Sequence, residues 1–348
     1  MKRIAYIVDS VAWVQMQRAE DLRPYLGEYE LIPMSPTVAW RAMRDVRIPF
    51  DAVWLASWRI LFAAPELESV LPWEKTLASV TSHYQIGGGL KPETCFRKGT
   101  DPAEEFRKAI EVLGRFPIIT CNSRILFEML VPKLPMTEVV LAQNGVDAEF
   151  FTPVPYVARH YGLPTVGWVG KDKGAKNIAA FMATYQKLDH HSALFHMVVP
   201  KKRGGPVKTR EGMRNFYWQT DFLVCTSWFE GSPNGCLEGA SCGLPIITTP
   251  VGNMPELVTE GTTGWFIDPT AEREEAYEVA DQVDVFLVEE AARDRERVGG
   301  AAHGGRSRGL TSPTSARPTW SQGCGSARTT SSPRRSGERS SNFAKRSL

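Results

Sequence analysis

Glu230 and Glu238 stand eight positions apart around the run "EGSPNGCLEGASCGLP". Ser232 is suited to cap a helix and Pro233 to open one, which predicts a helix starting directly after Glu230. The free N–H groups and positive dipole end of that helix, from Asn234 onward, would suit a phosphate or a sugar oxygen. Gly235 and Gly239 carry no side chain and would let a ligand approach closely. Glu238 falls one to two turns in, where a carboxylate can accept two hydrogen bonds from a vicinal diol such as a ribose. Gly243 then ends the helix and Pro245 prevents its continuation. The loop reads as a seat for a sugar nucleotide. Taken alone, the two glutamates also read as solvated acids at helix ends.

The elements that must position this loop alternate along the chain. Short apolar runs predict strands over residues 3–8, 31–34, 52–55, 76–81, 117–120 and 139–142, with helices over 14–26, 104–113 and 123–130 between them. After a proline-bearing stretch, "FFTPVPYVARHYGLPT", strands are expected over 165–169, 193–199, 222–225, 245–249 and 264–267. Helices are expected over 178–188, 234–242 and 271–298. Alternating strands and helices imply parallel sheets joined by right-handed crossovers, and so two layered α/β domains with a ligand cleft beyond the carboxyl ends of the strands. The division predicted is 1–153 for an N-terminal Rossmann-like domain, 154–298 for a second, and 299–348 for a basic tail.

A chain of 348 residues, 43% hydrophobic and 23% charged, suits two such cores. From Gly299 onward there are nine Lys/Arg against one Glu, with two Leu and no Ile, Val or Met. The tail is therefore expected to be disordered, and the small net positive charge belongs to it. That removes composition as an argument for nucleic-acid binding by the body. Six cysteines without C-x-x-C spacing imply a reducing compartment. The N-terminus lacks a signal-peptide core and no run is long enough to span a membrane, so a cytoplasmic location is expected.

The loop keeps specific company. "TDFLVCTSWFEG" precedes it, "ITTPVGNMPELVTEGTTGWFID" follows, and "QNGVDAEFFTP" lies at the domain junction. Together these resemble the retaining glycosyltransferases of GT-B fold called family 4 (glycosyl transferases group 1). The family's E-x7-E signature matches Glu230 and Glu238. Its NGVD element matches Asn144 to Asp147 with Phe150 or Phe151 and Pro153, and its last glycine-rich run matches Gly252, Glu256 and Gly264. The resemblance is strong from about Gln143 to Asp268 and mostly topological before that.

The resemblance implies a sugar moved from a nucleotide-sugar donor (UDP-, GDP- or ADP-linked) to an acceptor with retention of configuration, needing no metal and no other cofactor. The acceptor would be a glycan, a lipid or a small molecule, with peripheral membrane contact as one option. Glu230 would hold the sugar hydroxyls and Glu238 the ribose, with Ser232, Pro233, Asn234 and Gly235 beside the nucleotide. In "VGWVGKDKGAKNI" the family's G-R-x4-K element matches Gly170, Lys171 and Lys176, which would steady the diphosphate as the glycosidic bond breaks. Lys171 stands where the family usually has Arg, whose fork grips phosphate more rigidly. Lys173 is an alternative for this role, and three lysines on a solvated loop is another reading. His83 matches a histidine that the family often carries at a strand end near the reacting sugar; an ordinary loop-end histidine is its alternative.

The family's glycine-rich loop after the first strand is missing here, which leaves phosphate or acceptor contacts from that loop unsupported. The tail raises two other readings: a nucleotide-sugar-binding remnant whose reading frame changed near Arg297, and a GT-B-fold sugar-nucleotide epimerase.

Overall fold

A computed structural model describes residues 1–9, 14–83, 86, 100–153, 164–170, 174–187, 194–198 and 209–267. The expected boundary at 153/154, Lys171 and Lys173, the helix over 271–298 and the tail from 299 lie outside the described residues. Those described all belong to one compact unit, Met1–Pro318. No helix among them is long and apolar enough to cross a membrane.

The first sheet holds β1 (Lys2–Ile7), β2 (Tyr29–Met34), β3 (Ala52–Leu55), β4 (Thr76–Val80), β5 (Ile118–Cys121) and β6 (Glu138–Leu141) in the order β2-β1-β3-β4-β5-β6. Every pairing is parallel, from Ile4 opposite Ala52 to Cys121 opposite Leu141. The strands read as continuous apolar runs because both faces are covered. Ala5, Ile7, Val53, Leu55, Ala78, Val80 and Ile119 are buried together. The covering helices include α1 (Val14–Leu22), α2 (Pro36–Arg44), α3 (Ile60–Ala63), α4 (Pro102–Leu113) and α5 (Arg124–Leu130). Asp101 caps α4 and Ser123 caps α5 through their side chains.

The second sheet holds β7 (Thr165–Val169), β8 (Leu194–Val198), β9 (Phe222–Cys225), β10 (Ile246–Thr248) and β11 (Gly264–Phe266) in the order β11-β10-β9-β7-β8. Counted from its own first strand, this is the same parallel winding as the first sheet. Val166, Trp168, Phe222, Val224 and Ile247 form its core, closed by Phe181 of α6 (Ile178–Lys187). The helices α7 (Arg210–Trp218), α8 (Asn234–Ser241) and α9 (Met254–Leu257) complete the described part.

Four helices, α2, α3, α7 and α9, fall where the sequence pattern predicts none. Pro36 opens α2 behind Ser35, whose hydroxyl accepts from the Val38 N–H. Thr209 caps α7 by accepting from the Gly212 N–H at 3.1 Å. Gly212 and Asn215 are poor helix formers, and α7 is held by burial of Phe216 and Tyr217 rather than by propensity.

Candidate functional site

In a parallel sheet all strands end at one edge, and the candidate residues lie on those edges. On the first sheet, His83 follows β4 and Asn122 follows β5. On the second, the run Thr226 to Glu230 follows β9. Its path is fixed by four hydrogen bonds. The Trp228 N–H donates to the Ala175 carbonyl at 2.8 Å, and the Thr249 hydroxyl to the Ser227 carbonyl at 2.6 Å. The Thr226 hydroxyl reaches the carbonyls of Lys176 and Asn177 at 3.1 and 2.9 Å. Trp228 and Phe229 are buried beneath the loop.

These constraints bring Lys176 to Glu230. The Lys176 ammonium pairs with Glu230 Oε1, and the Ser227 hydroxyl donates to the same oxygen at 2.8 Å. Burial disfavours the charge on Lys176, but the Glu230 carboxylate together with Cys225 and Cys236 outweighs it, and the lysine's pKa is raised. The ammonium is held positive, and its partner is held in one orientation.

The same glutamate meets the first sheet through its backbone. His83 Nδ1 lies 2.9 Å from the Glu230 carbonyl, which can only accept, so the neutral ring carries its proton on Nδ1. Burial lowers the His83 pKa despite this bond, which favours the neutral ring with Nε2 as an acceptor. Gly231 makes the approach possible. A Cβ there would lie 1.9 Å from the Thr81 carbonyl oxygen and 2.4 Å from Asn122 Oδ1. Gly252, at φ +58°, passes behind it, and a Cβ on Gly252 would lie 2.5 Å from the Gly231 carbonyl oxygen.

Glu256 ties the sheets a second time. It accepts from the backbone N–H of Arg124, at the start of α5, at 2.7 Å and from Gln143 Nε2 at 2.5 Å. The junction element is fastened to the second sheet's helices. Asn144 donates to Asn234 Oδ1 at 3.0 Å, Arg210 pairs with Asp147 at 2.7 Å, Ser241 donates to the Phe151 carbonyl at 2.6 Å and Trp218 to the Thr152 carbonyl at 2.8 Å.

The helix after Glu230 starts at Asn234, where the run over 234–242 puts it, but its cap lies one residue later than expected. Pro233 occupies the cap of α8 and Asn234 is its first residue, with no side-chain cap. The expected cap, Ser232, has its hydroxyl buried without a hydrogen-bond partner. Proline lacks an N–H and so tolerates the cap, while the Cys236 and Leu237 N–H groups close onto its carbonyl. The space beside Gly235 faces Val169 and the Tyr217 hydroxyl, and that beside Gly239 faces Leu223. Both glycines seat α8 against its sheet and the neighbouring α7.

Glu238 accepts from the hydroxyl of Tyr217, on α7, at 2.7 Å. Burial raises its pKa, opposed by that hydrogen bond and by the charge of Arg210. Tyr217, Ser227, Thr226 and Arg210 are site neighbours that the sequence reading did not single out. A tyrosine within a helix carries no local mark of its carboxylate partner. Gly170 follows β7 at the same edge as Glu230. The residues brought together are therefore His83, Lys176 and Glu230, while Glu238 on α8 is partnered by Tyr217.

Residues 201–284 match the family model described as Glycosyl transferases group 1. Alpha-maltose-1-phosphate synthase of Mycobacterium tuberculosis is 22% identical over 284 residues, which cover 71% of this chain and 67% of that protein. D-inositol 3-phosphate glycosyltransferase of Mycolicibacterium smegmatis is 30% identical over a shorter stretch of 63 residues, 18% of this chain and 14% of that one. Among solved structures, sucrose-phosphate synthase from Thermosynechococcus elongatus superposes with a TM-score of 0.64 at 12% identity, covering 84% of this chain and 91% of that one. HepE of Anabaena, in complex with UDP and glucose, gives 0.57 at 12% identity, covering 87% and 99%. These findings give the chain the GT-B glycosyltransferase fold and support its placement among the group 1 glycosyltransferases, carried by residues 201–284.

Proposed function

We propose that this protein is a retaining family 4 glycosyltransferase of the cytoplasm that moves a sugar from a nucleotide-sugar donor to a glycan, lipid or small-molecule acceptor. The observation that carries this reading is the convergence of His83 from one sheet and the Lys176–Glu230 pair from the other on a single loop. The UDP, glucose and UDP-glucose complexes of HepE favour a nucleotide-sugar donor for a chain of the same fold.

The donor's nucleotide lies along α8, with Glu238 on the ribose hydroxyls. Lys171 and Lys176 face the diphosphate. As the bond from the anomeric carbon to the phosphate oxygen breaks, the negative charge that grows on the diphosphate is stabilised by these ammonium groups. The acceptor oxygen bonds to the anomeric carbon from the leaving-group side, and its proton passes to the departing phosphate. Glu230 orients the sugar hydroxyls, and no metal takes part.

A thermal-shift screen against UDP-, GDP- and ADP-sugars, followed by an assay of nucleoside diphosphate release with candidate acceptors, tests this. A rise in Tm with one donor and acceptor-dependent diphosphate release are expected. Failure of every nucleotide sugar to raise Tm overturns the reading. Binding without turnover favours the remnant, and a new sugar nucleotide without a glycosidic product favours the epimerase.

A further inference from the structure

The cysteines among the described residues, Cys121, Cys225, Cys236 and Cys242, are all buried and free. Two of them face each other where α8 packs on its sheet. Cys225 is the last residue of β9, and Cys236 lies in the first turn of α8. Side chains alternate along a strand, so Leu223 and Cys225 point to one face. Residues three apart on a helix share a side, so Cys236 and Gly239 do the same. Gly239 rests on Leu223, where an added Cβ would lie 3.1 Å from the leucine Cδ2. Because β9 and β10 are parallel, α8 must carry the chain back against them. The step from Leu223 to Cys225 on the strand is therefore matched by the step from Gly239 to Cys236 on the helix. The two thiols accordingly hydrogen-bond to each other.

Their surroundings suit a thiol that reacts. Cys225 Sγ lies 3.6 Å from Ser227 Oγ, and that hydroxyl donates to Glu230 at 2.8 Å. The Lys176 ammonium is close enough for both sulfurs to raise its pKa. The hydrogen bond from Cys236 draws the Cys225 thiol below the ordinary thiol value, against burial and the Glu230 charge, with Lys176 and the Ser227 N–H assisting. The Cys236 thiol is pushed the other way by the same bond and by burial. Cys225, 8% exposed, is also more open than Cys236 at 4%. One sulfur is thus suited to attack and its neighbour to resolve. Nothing in the proposed transfer uses either of them.

We propose that Cys225 and Cys236 form a redox-modification site that hydrogen peroxide closes to a disulfide, and that closure weakens nucleotide binding along α8. The Cys225 thiolate attacks one peroxide oxygen, the O–O bond breaks, and a sulfenic acid and hydroxide result. The Cys236 sulfur then attacks the sulfenic sulfur, the S–S bond forms and the S–O bond breaks, releasing a second hydroxide. The proton of Cys236 and one from solvent turn both hydroxides into water, and two electrons have passed from the sulfurs to the peroxide. Bonded sulfurs stand about 2.05 Å apart, far closer than hydrogen-bonded ones, so closure pulls the first turn of α8 toward β9. The disulfide stands apart from the proposed reaction; its effect on the nucleotide rests on that reading.

The full chain is treated with hydrogen peroxide, unfolded, alkylated with iodoacetamide and cut after glutamate. Cleavage at Glu230 and Glu238 puts Cys225, Cys236 and Cys242 on three separate peptides. The expected product is the Cys225 peptide joined to the Cys236 peptide, separable by dithiothreitol. Calorimetric affinity for UDP, GDP or ADP, whichever binds, should fall at least tenfold on oxidation and return with dithiothreitol. Cys225→Ser and Cys236→Ser, checked for folding by Tm, should each keep their own untreated affinity through the same exposure. Linkage of either cysteine to Cys242, or a sulfinic acid on Cys225 without a link, overturns the site. A linked pair with unchanged affinity, or a loss that persists in both serine variants, overturns the effect on α8. Failure of the untreated wild type to bind any nucleotide overturns the proposed function and that effect, while the linked peptide still decides the disulfide.

Discussion

The His83 imidazole and the Glu230 backbone carbonyl meet at 2.9 Å across 147 residues of chain, joining the rims of two separate sheets. One residue therefore serves twice. The Glu230 carbonyl holds the first domain, and its carboxylate holds Lys176.

That contact is pH-dependent. The His83 pKa lies below the ordinary imidazole value of 6.5 because the ring is buried. Above 6.5 the ring is neutral whether the chain is folded or not, and its contribution to stability is complete. As pH falls below 6.5 the unfolded chain takes up the proton first, so stability is lost until the folded value is passed. Tm measured from pH 7.5 to 5 should fall more steeply in the wild type than in His83→Asn. Parallel curves would show that the ring does not titrate as described.

Removing the carboxylate strands a cation. Glu230→Ala leaves the Lys176 ammonium, whose side chain is 27% exposed, without its counter-charge. The expected loss is about 1–3 kcal/mol of stability, below the range for fully buried pairs because some water reaches the lysine. Glu230→Gln, which keeps hydrogen-bonding capacity, should lose less. Turnover should fall at least 100-fold in both, with nucleoside diphosphate affinity little changed. Urea unfolding and steady-state kinetics check the two halves, and unchanged turnover in Glu230→Gln would remove the residue from the chemistry.

Glu238 should govern nucleotide affinity instead. Charge-assisted hydrogen bonds are worth about 1.5–3 kcal/mol, so Glu238→Ala should weaken binding of the free diphosphate roughly 10- to 100-fold. Tyr217→Phe removes the hydroxyl that holds the carboxylate at 2.7 Å and should have a smaller effect in the same direction. Calorimetry with the nucleotide that stabilises the wild type decides the matter. Equal affinities in all three proteins would take the ribose away from Glu238.

Turnover should survive EDTA. Lysine ammonium groups supply the positive charge in the proposed reaction. Loss of diphosphate release on chelation, restored by Mg²⁺ or Mn²⁺, would refute this account of the leaving group.

Glu256 should act as a strut between the sheets. Glu256→Ala frees the Arg124 N–H and Gln143, both joined to it from the first domain's side. Small-angle scattering should then report a larger radius of gyration for the variant than for the wild type, and donor binding should reverse part of the change. Identical radii would mean that the His83 and Gly231 contacts hold the seam without it.

The sequence by itself determined the winding of the sheets and the loop that carries the site. Strand periodicity, the Gly-Leu-Pro stop at Gly243 to Pro245 and the spacing of Glu230 and Glu238 are written within short windows, where local backbone preference and burial act directly. The start of α8 was legible only to within a residue, since Ser232 and Pro233 both suit a helix entrance and packing decided between them. The seam between the two sheets is different in kind. Lys176 meets Glu230 over 54 residues and His83 over 147. Such pairings are set by how two domains press together at Gly231, where only a missing side chain permits the contact. That packing is a property of the whole fold, and no stretch of sequence read alone contains it.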